Sequence, residues 1–167
     1  MKMMKTRFHI FSYLRRQDSG TALVEFAILL PMLLLLFAVT IEGGRMFWAY
    51  QNVAAGVRDA TRYVARAAPI SVCETGGNLL EYAALAEDIV RNSLDGTSPF
   101  PPSITITSVT ASHTCIAGNF RVSPAPVVQI TAVLEITFPF APVFNFAGQS
   151  LGTITTSIFD QSRIYGT

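Results

Sequence analysis

Charged residues are scarce in this 167-residue chain, and so are cysteine, histidine and tryptophan. Lys, Arg, Asp and Glu make up 14% of the residues, against about a quarter in an average globular protein, whereas hydrophobic residues make up 50%. This composition excludes a disordered chain, and the net charge of +1 gives no general attraction to nucleic acid. The length suffices for one modest folded domain and an anchor.

Residues that suit enzymatic chemistry are also few. The sequence has no Gly-rich phosphate loop, and Glu135 and Asp160 are isolated acids, so paired-carboxylate catalysis has no support. Residues 148–152 match the G-x-S-x-G pattern of a hydrolase, but no histidine follows Ser150, and residues 153–159 are predicted as a strand where that motif needs a helix. A hairpin turn is the favoured interpretation. We therefore predict no enzymatic activity, no cofactor and no small-molecule substrate.

One long hydrophobic run stands out. Residues 22–41 contain a single charged residue, Glu25, and at about 1.5 Å per residue they span about 30 Å, the hydrocarbon thickness of a bilayer. The leader before this run carries five basic residues and one acid, Asp18. By the positive-inside rule, the leader stays cytoplasmic and the rest of the chain is exported. The five basic residues are Lys2, Lys5, Arg7, Arg15 and Arg16.

A secretory signal peptide, removed after the apolar run, is the second interpretation of this segment. The run is longer than the usual hydrophobic region of about 7–15 residues. Ala38-Val39-Thr40 is a poor match to a small-x-small cleavage site. A retained anchor is therefore favoured.

The two cysteines, Cys73 and Cys115, both follow the predicted anchor. Neither has a partner at C-x-x-C spacing, and His113 is the only histidine after the anchor, so no metal site is predicted. Two thiols in an oxidising compartment most simply form one disulfide. It would enclose 41 residues, a loop for which chain entropy gives about 4 kcal/mol.

An amphipathic helical extension is predicted from the end of the run to Pro69. Apolar residues recur at spacings of three and four, which indicates one buried face. Arg58, Arg62 and Arg66 fall on another face, which is predicted to be solvated. A nucleic-acid-binding surface is the less favoured interpretation of this row. Trp48 suits the aromatic belt at the outer interface of the membrane that the helix is predicted to cross. The apolar positions are Met46, Tyr50, Val53, Val57, Ala60 and Val64.

The remainder predicts a small α+β domain. Residues 79–94 form an amphipathic helix, with Asn78 and Glu81 at N-cap spacing and Gly96 as the C-cap. Strands are predicted at 104–107, 119–123, 128–138 and 153–159, and their short connections favour an antiparallel sheet. The clearest predicted strand, residues 128–138, has side chains for its two faces alternating throughout. Its predicted buried face comprises Val128, Ile130, Ala132, Leu134, Ile136 and Phe138.

The aromatic-rich segment at residues 138–146 follows this strand and leaves two interpretations open. Core filling under the sheet is the favoured one. An exposed contact patch for a partner subunit is the other, because large exposed apolar patches usually mark interaction sites.

The positions of Gly20 and Glu25 suggest that the apolar helix packs against other helices in an assembly. An acid inside a membrane helix costs up to roughly 2.5–3.5 kcal/mol, although a shallow Glu25 would reach the headgroups. If the chain is cut between Gly20 and Thr21, the carboxylate lies four residues from a new ammonium, near a helix N-terminus that favours it. In a bundle of such helices, a neighbouring ammonium would compensate the buried charge. The glycine would let a protease approach the backbone closely.

The stretch from Ser19 to Arg66, above all residues 20–27 and 42–45 (Gly-Thr-Ala-Leu-Val-Glu-Phe-Ala and Glu-Gly-Gly-Arg), resembles the TadE-like proteins. These are pseudopilins of the tight-adherence (Flp-type) pilus. The resemblance implies cleavage after Gly20 by a prepilin peptidase, with Glu25 and Phe26 as assembly and recognition residues. Phe26 departs from the tyrosine of the major pilins.

The resemblance also implies location and partners. We expect a single-pass protein of the bacterial inner membrane, with its N-terminus cytoplasmic and its C-terminal domain in the periplasm or on a surface pilus. Other pilin-like subunits and pilus assembly proteins would be its partners. The expected regions are a leader (1–20), a transmembrane helix (21–41), a helical extension (42–68) and an exported domain (69–167). An uncleaved periplasmic scaffold is the alternative, and an anchored hydrolase using Ser150 is a weaker one.

Overall fold

A single long helix fills the described chain from Ser19 to Ala67, two residues before the proline that was expected to stop it. The computed structural model describes residues 19–92, 98, 100–139, 141 and 152–166, and helix α1 spans Ser19–Ala67. The helix continues through Pro31 and through Gly43-Gly44. Pro69 follows shortly after its end, as expected of a residue that lacks a backbone N–H. The predicted long N-terminal helix is confirmed.

The chain divides into two compact units, Met1–Ile41 and Glu42–Thr167. In the first, the described side chains are exposed around the whole circumference of α1, apart from the half-buried Ala38. Gly20–Ala67 is the one helix in the described part of the chain that is long and apolar enough to cross a membrane, with a mean hydropathy of 2.6 in its most apolar window. A helix that is apolar on all sides requires lipid or other apolar helices around it.

In the second unit, α1 buries one face against the rest of the domain. Val53, Val57, Ala60 and Val64 of the predicted stripe are fully buried. The first two members of the stripe, Met46 and Tyr50, were predicted wrongly, since both are exposed, and Ala49 and Glu42 are buried instead. Neighbouring elements cross a helix at an angle, so the covered face shifts around the helix along its length.

Two shorter helices follow, α2 (Val72–Thr75) and α3 (Leu80–Arg91). Asn78 precedes α3 and accepts a hydrogen bond from the backbone N–H of Leu80 at 3.0 Å, but Leu79 occupies the N-cap position. The helix therefore begins at Leu80, one residue later than predicted. It ends at Arg91, and the predicted Leu94 and Gly96 lie outside the described residues.

The sheet has three antiparallel strands in the order β1-β2-β3: β1 (Ile104–Ile116), β2 (Ala125–Thr137) and β3 (Thr153–Arg163). The predicted buried face of β2 is confirmed, from Val128 to Ile136, and Phe138 packs half-buried against the core. The strand predicted at 119–123 is wrong. Instead, β1 extends to Ile116, and residues 117–124 connect it to β2. The α+β class with an antiparallel sheet is confirmed.

The end of the described chain is attached to the end of α1. Ile164 is fully buried, and the backbone N–H of Tyr165 donates to the carbonyl of Ala65 at 2.8 Å. Gly166 pairs with Pro69 in a parallel bridge, and a Cβ at position 166 would come within 1.9 Å of a backbone oxygen. The close approach requires glycine there.

Candidate functional site

The residues singled out at the start of the apolar helix are all presented outward. Gly20, Thr21, Glu25 and Phe26 are exposed, and Phe26 exposes 61% of its surface. A Cβ on Gly20 would meet nothing within 4 Å. No hydrogen bond or ion pair within the described ranges engages the Glu25 carboxylate. This segment is therefore open to a second protein or to lipid.

Thr21 and Glu25 stand one helical turn apart, because positions i and i+4 share a face about 6 Å apart along the axis. A cut after Gly20 would move Glu25 close to the new helix N-terminus, where the backbone dipoles favour a carboxylate. Leader removal at this position would therefore place the Glu25 carboxylate in a favourable electrostatic setting.

The second segment of the resemblance, residues 42–45, contains a buried residue, unlike residues 20–26. Glu42 is only 7% exposed, and its Oε2 atom is enclosed without a hydrogen-bond partner in the described residues. Arg45 donates from Nη2 to Ser103 Oγ at 3.3 Å, which connects α1 to the start of β1. Gly43 and Gly44 have open space where a side chain would be. The buried carboxylate was not predicted, although an acid directly after an apolar run is a signal that could have found it.

Cys73 and Cys115 are joined by a disulfide, with their Cα atoms 5.8 Å apart. Cys73 lies in α2 and Cys115 near the end of β1. The bridge therefore attaches the short helix after α1 to the sheet.

The enzymatic alternatives gain little support. Ser150 and most of the aromatic segment (140 and 142–146) lie outside the described residues. The strand β3 begins at Thr153, directly after Gly152, where a nucleophile elbow needs a helix. A cavity of about 220 Å³ beside β1 is lined by Arg91, whose guanidinium is already engaged by Glu87 and by the carbonyl of Ile106. The described residues contain no group of three or more His, Cys, Asp or Glu side chains that could hold a metal ion.

The described residues form one long apolar helix, which by length and composition can cross a membrane, followed by a small α+β unit. Residues 20–62 match the family model of the TadE-like proteins, and the resemblance predicted from the sequence is thereby confirmed over that segment. The matched segment is 43 residues long and is similar to TadE-like proteins, a family associated with the tight-adherence pilus and not known as an enzyme family. No curated protein and no solved structure matches the chain significantly.

Proposed function

We propose that this chain is a non-enzymatic, pseudopilin-like protein that assists assembly of a tight-adherence pilus for surface attachment. A prepilin peptidase removes the leader after Gly20. The helix from Thr21 to Ile41 then stays in the inner membrane, with the α+β unit on the periplasmic side, or passes into the fibre. Other pilin-like subunits and assembly proteins are the partners.

The observation that carries this proposal is the register of Gly20, Thr21 and Glu25 at the edge of an apolar helix with an exposed surface. The family match begins at residue 20, which is the proposed cut position. An anchor alone requires only apolar side chains. An acid four residues after the proposed terminus is unfavourable in lipid and needs a function of its own.

In the proposed mechanism, apolar helices pack side by side once their leaders are removed. The Glu25 carboxylate of one subunit then accepts a charge-assisted hydrogen bond from the Thr21 ammonium of another. Each helix contributes one positive and one negative group, so every subunit can both donate and accept. The charges specify the axial register of packing, while the apolar surface supplies the attraction.

The processing step is tested by co-expressing the full chain with a prepilin peptidase of a tight-adherence system and measuring its intact mass. The native chain should lose residues 1–20, and Gly20→Val should keep them, because a β-branched side chain hinders close approach of the protease. Gly43→Val is the matched control, since position 43 has open space in the same helix. A native chain that keeps its leader in the presence of an active peptidase favours the uncleaved scaffold and contradicts the proposal.

A further inference from the structure

Two stripes of opposite charge lie on the surface of the second unit. Arg58, Arg62 and Arg66 are exposed on α1, spaced four residues apart, so the row is about 12 Å long. Glu81 and Asp88 are exposed on α3, seven residues and about 10 Å apart. We refer to these as the basic stripe and the acidic stripe.

The side chains of the basic stripe have no partner in the described part of the chain. No hydrogen bond or ion pair there involves Arg58, Arg62 or Arg66, and Asp59 is the acid beside them on α1. By contrast, Arg91 on α3 is paired with Glu87 at 2.7 Å. The basic stripe therefore keeps an excess of positive charge that the domain does not neutralise.

The two stripes point in different directions. Gly56 faces α3, and at 100° per residue Arg62 lies about 120° around α1 from it. On α3, Val90 faces Gly56, and Glu81 and Asp88 lie about 160–180° around the helix from Val90. The stripes of one molecule therefore face away from each other, and they can meet only between two molecules.

We propose that the basic stripe of one copy binds the acidic stripe of a second copy of this chain. The two rows are opposite in sign and similar in length, so two arginines can each approach one carboxylate across the contact. Because the two stripes of one copy face away from each other, they cannot both meet the same second copy, so the contact is head-to-tail. Repetition then gives a ring or an open filament rather than a two-fold dimer. Its role in a fibre rests on the proposed function, although the contact itself does not require leader removal.

The sequence offers a direct chemical test of this contact, because Lys2 and Lys5 in the leader are its only lysines. Arg62→Lys keeps the charge and places one reactive amine in the second unit. A mixture of ¹⁴N- and ¹⁵N-labelled full-length chains in proteoliposomes is treated with a carbodiimide, which joins amines to carboxylates. We expect mixed-isotope peptides that link Lys at position 62 to Glu81 or Asp88. Arg121→Lys, at an exposed position outside the stripe, should give no such link.

Charge reversal provides the second arm of the experiment. In detergent at low salt, Arg58→Glu with Arg62→Glu should weaken self-association about tenfold, and so should Glu81→Arg with Asp88→Arg. All four changes in one chain should restore it, whereas Arg121→Glu should have no effect. Failure of the fourfold variant to associate, or absence of the mixed-isotope link, would overturn the inference. If the link forms but Gly20 is not cut, the proposed function fails and the contact remains.

Discussion

Gly56 on α1 lies directly against Val90 on α3. A Cβ at position 56 would stand 3.2 Å from the Val90 Cα and 3.4 Å from its carbonyl oxygen. Both are backbone atoms, so the neighbour cannot yield by rotating a side chain. The absence of a side chain at this one position sets how closely the two helices of the α+β unit approach.

Gly56→Ala should therefore gain less stability than an ordinary glycine-to-alanine change in a helix. Alanine improves helix propensity by about 1 kcal/mol, but the tight contact costs about 1–3 kcal/mol. Gly44→Ala, in the same helix with open space around it, is the matched control. Denaturant unfolding should place Gly44→Ala above Gly56→Ala in free energy of unfolding. Equal values would show that α3 does not pack closely on α1.

The Tyr82 hydroxyl donates a hydrogen bond to the carbonyl of Ala67, at the end of α1, at 3.1 Å. Tyr82→Phe should lower the free energy of unfolding by about 0.5–1.5 kcal/mol. Burial, followed by the hydrogen bond and charge of Glu81, raises the pKa of Tyr82 above its ordinary value of 10.0.

The raised pKa of Tyr82 predicts a loss of stability in alkali. Above pH 10 the unfolded chain releases this proton before the folded chain does, so the folded protein binds more protons and stability falls as pH rises. Unfolding measured between pH 8 and about pH 11 should show a shallower decline in Tyr82→Phe than in the native chain. Tyr165→Phe, at an exposed position, should retain the native slope. Identical slopes in all three chains would contradict the assignment.

Glu25→Ala should impair pilus assembly and leave membrane insertion intact, because insertion depends on apolar residues and assembly on the charge. Glu25→Gln should fail in the same way, since it keeps the shape and removes the charge, whereas Glu25→Asp should retain partial assembly. Electron microscopy of the cell surface, together with membrane fractionation, measures both outcomes. Normal piliation of Glu25→Gln would refute the proposed charge pairing.

The Cys73–Cys115 bridge should contribute to the stability of the α+β unit. Replacing both cysteines with serine should lower the free energy of unfolding by about 2–5 kcal/mol, since the bridge closes a long loop. Thiol labelling of the native protein under non-reducing conditions should give no adduct. Two labelled thiols would show that the bridge is not formed.

Much of the architecture could be predicted because single periodicities determine it. The strict alternation from Val128 to Ile136 predicted the buried face of β2, and the uninterrupted apolar run predicted α1. Met46 and Tyr50 were predicted wrongly because periodicity gives a face of a helix but not the extent to which neighbours cover it. Residues 119–123 were predicted as a strand, but they lie in the connection of the β1–β2 hairpin, between the last paired residues Ile116 and Ala125. Local residue types do not show where such pairing stops.

The site could be predicted only in part for a similar reason. Gly20 and Glu25 are recognisable by their register, a local feature. The burial of Glu42 and the different directions of the two charged stripes depend on packing between α1 and the rest of the unit, which no local pattern contains. Residue types and their spacing can thus be recognised in the sequence, whereas the burial and direction of the side chains depend on the fold.

The most direct test of the central claim is the identity of the first residue of the protein in its own cells. Top-down mass spectrometry of the chain from native membranes and sheared surface fibres should find a polypeptide that begins at Thr21 and retains the apolar helix. A chain that begins at Met1, or one that lacks residues 22–41, would contradict the account.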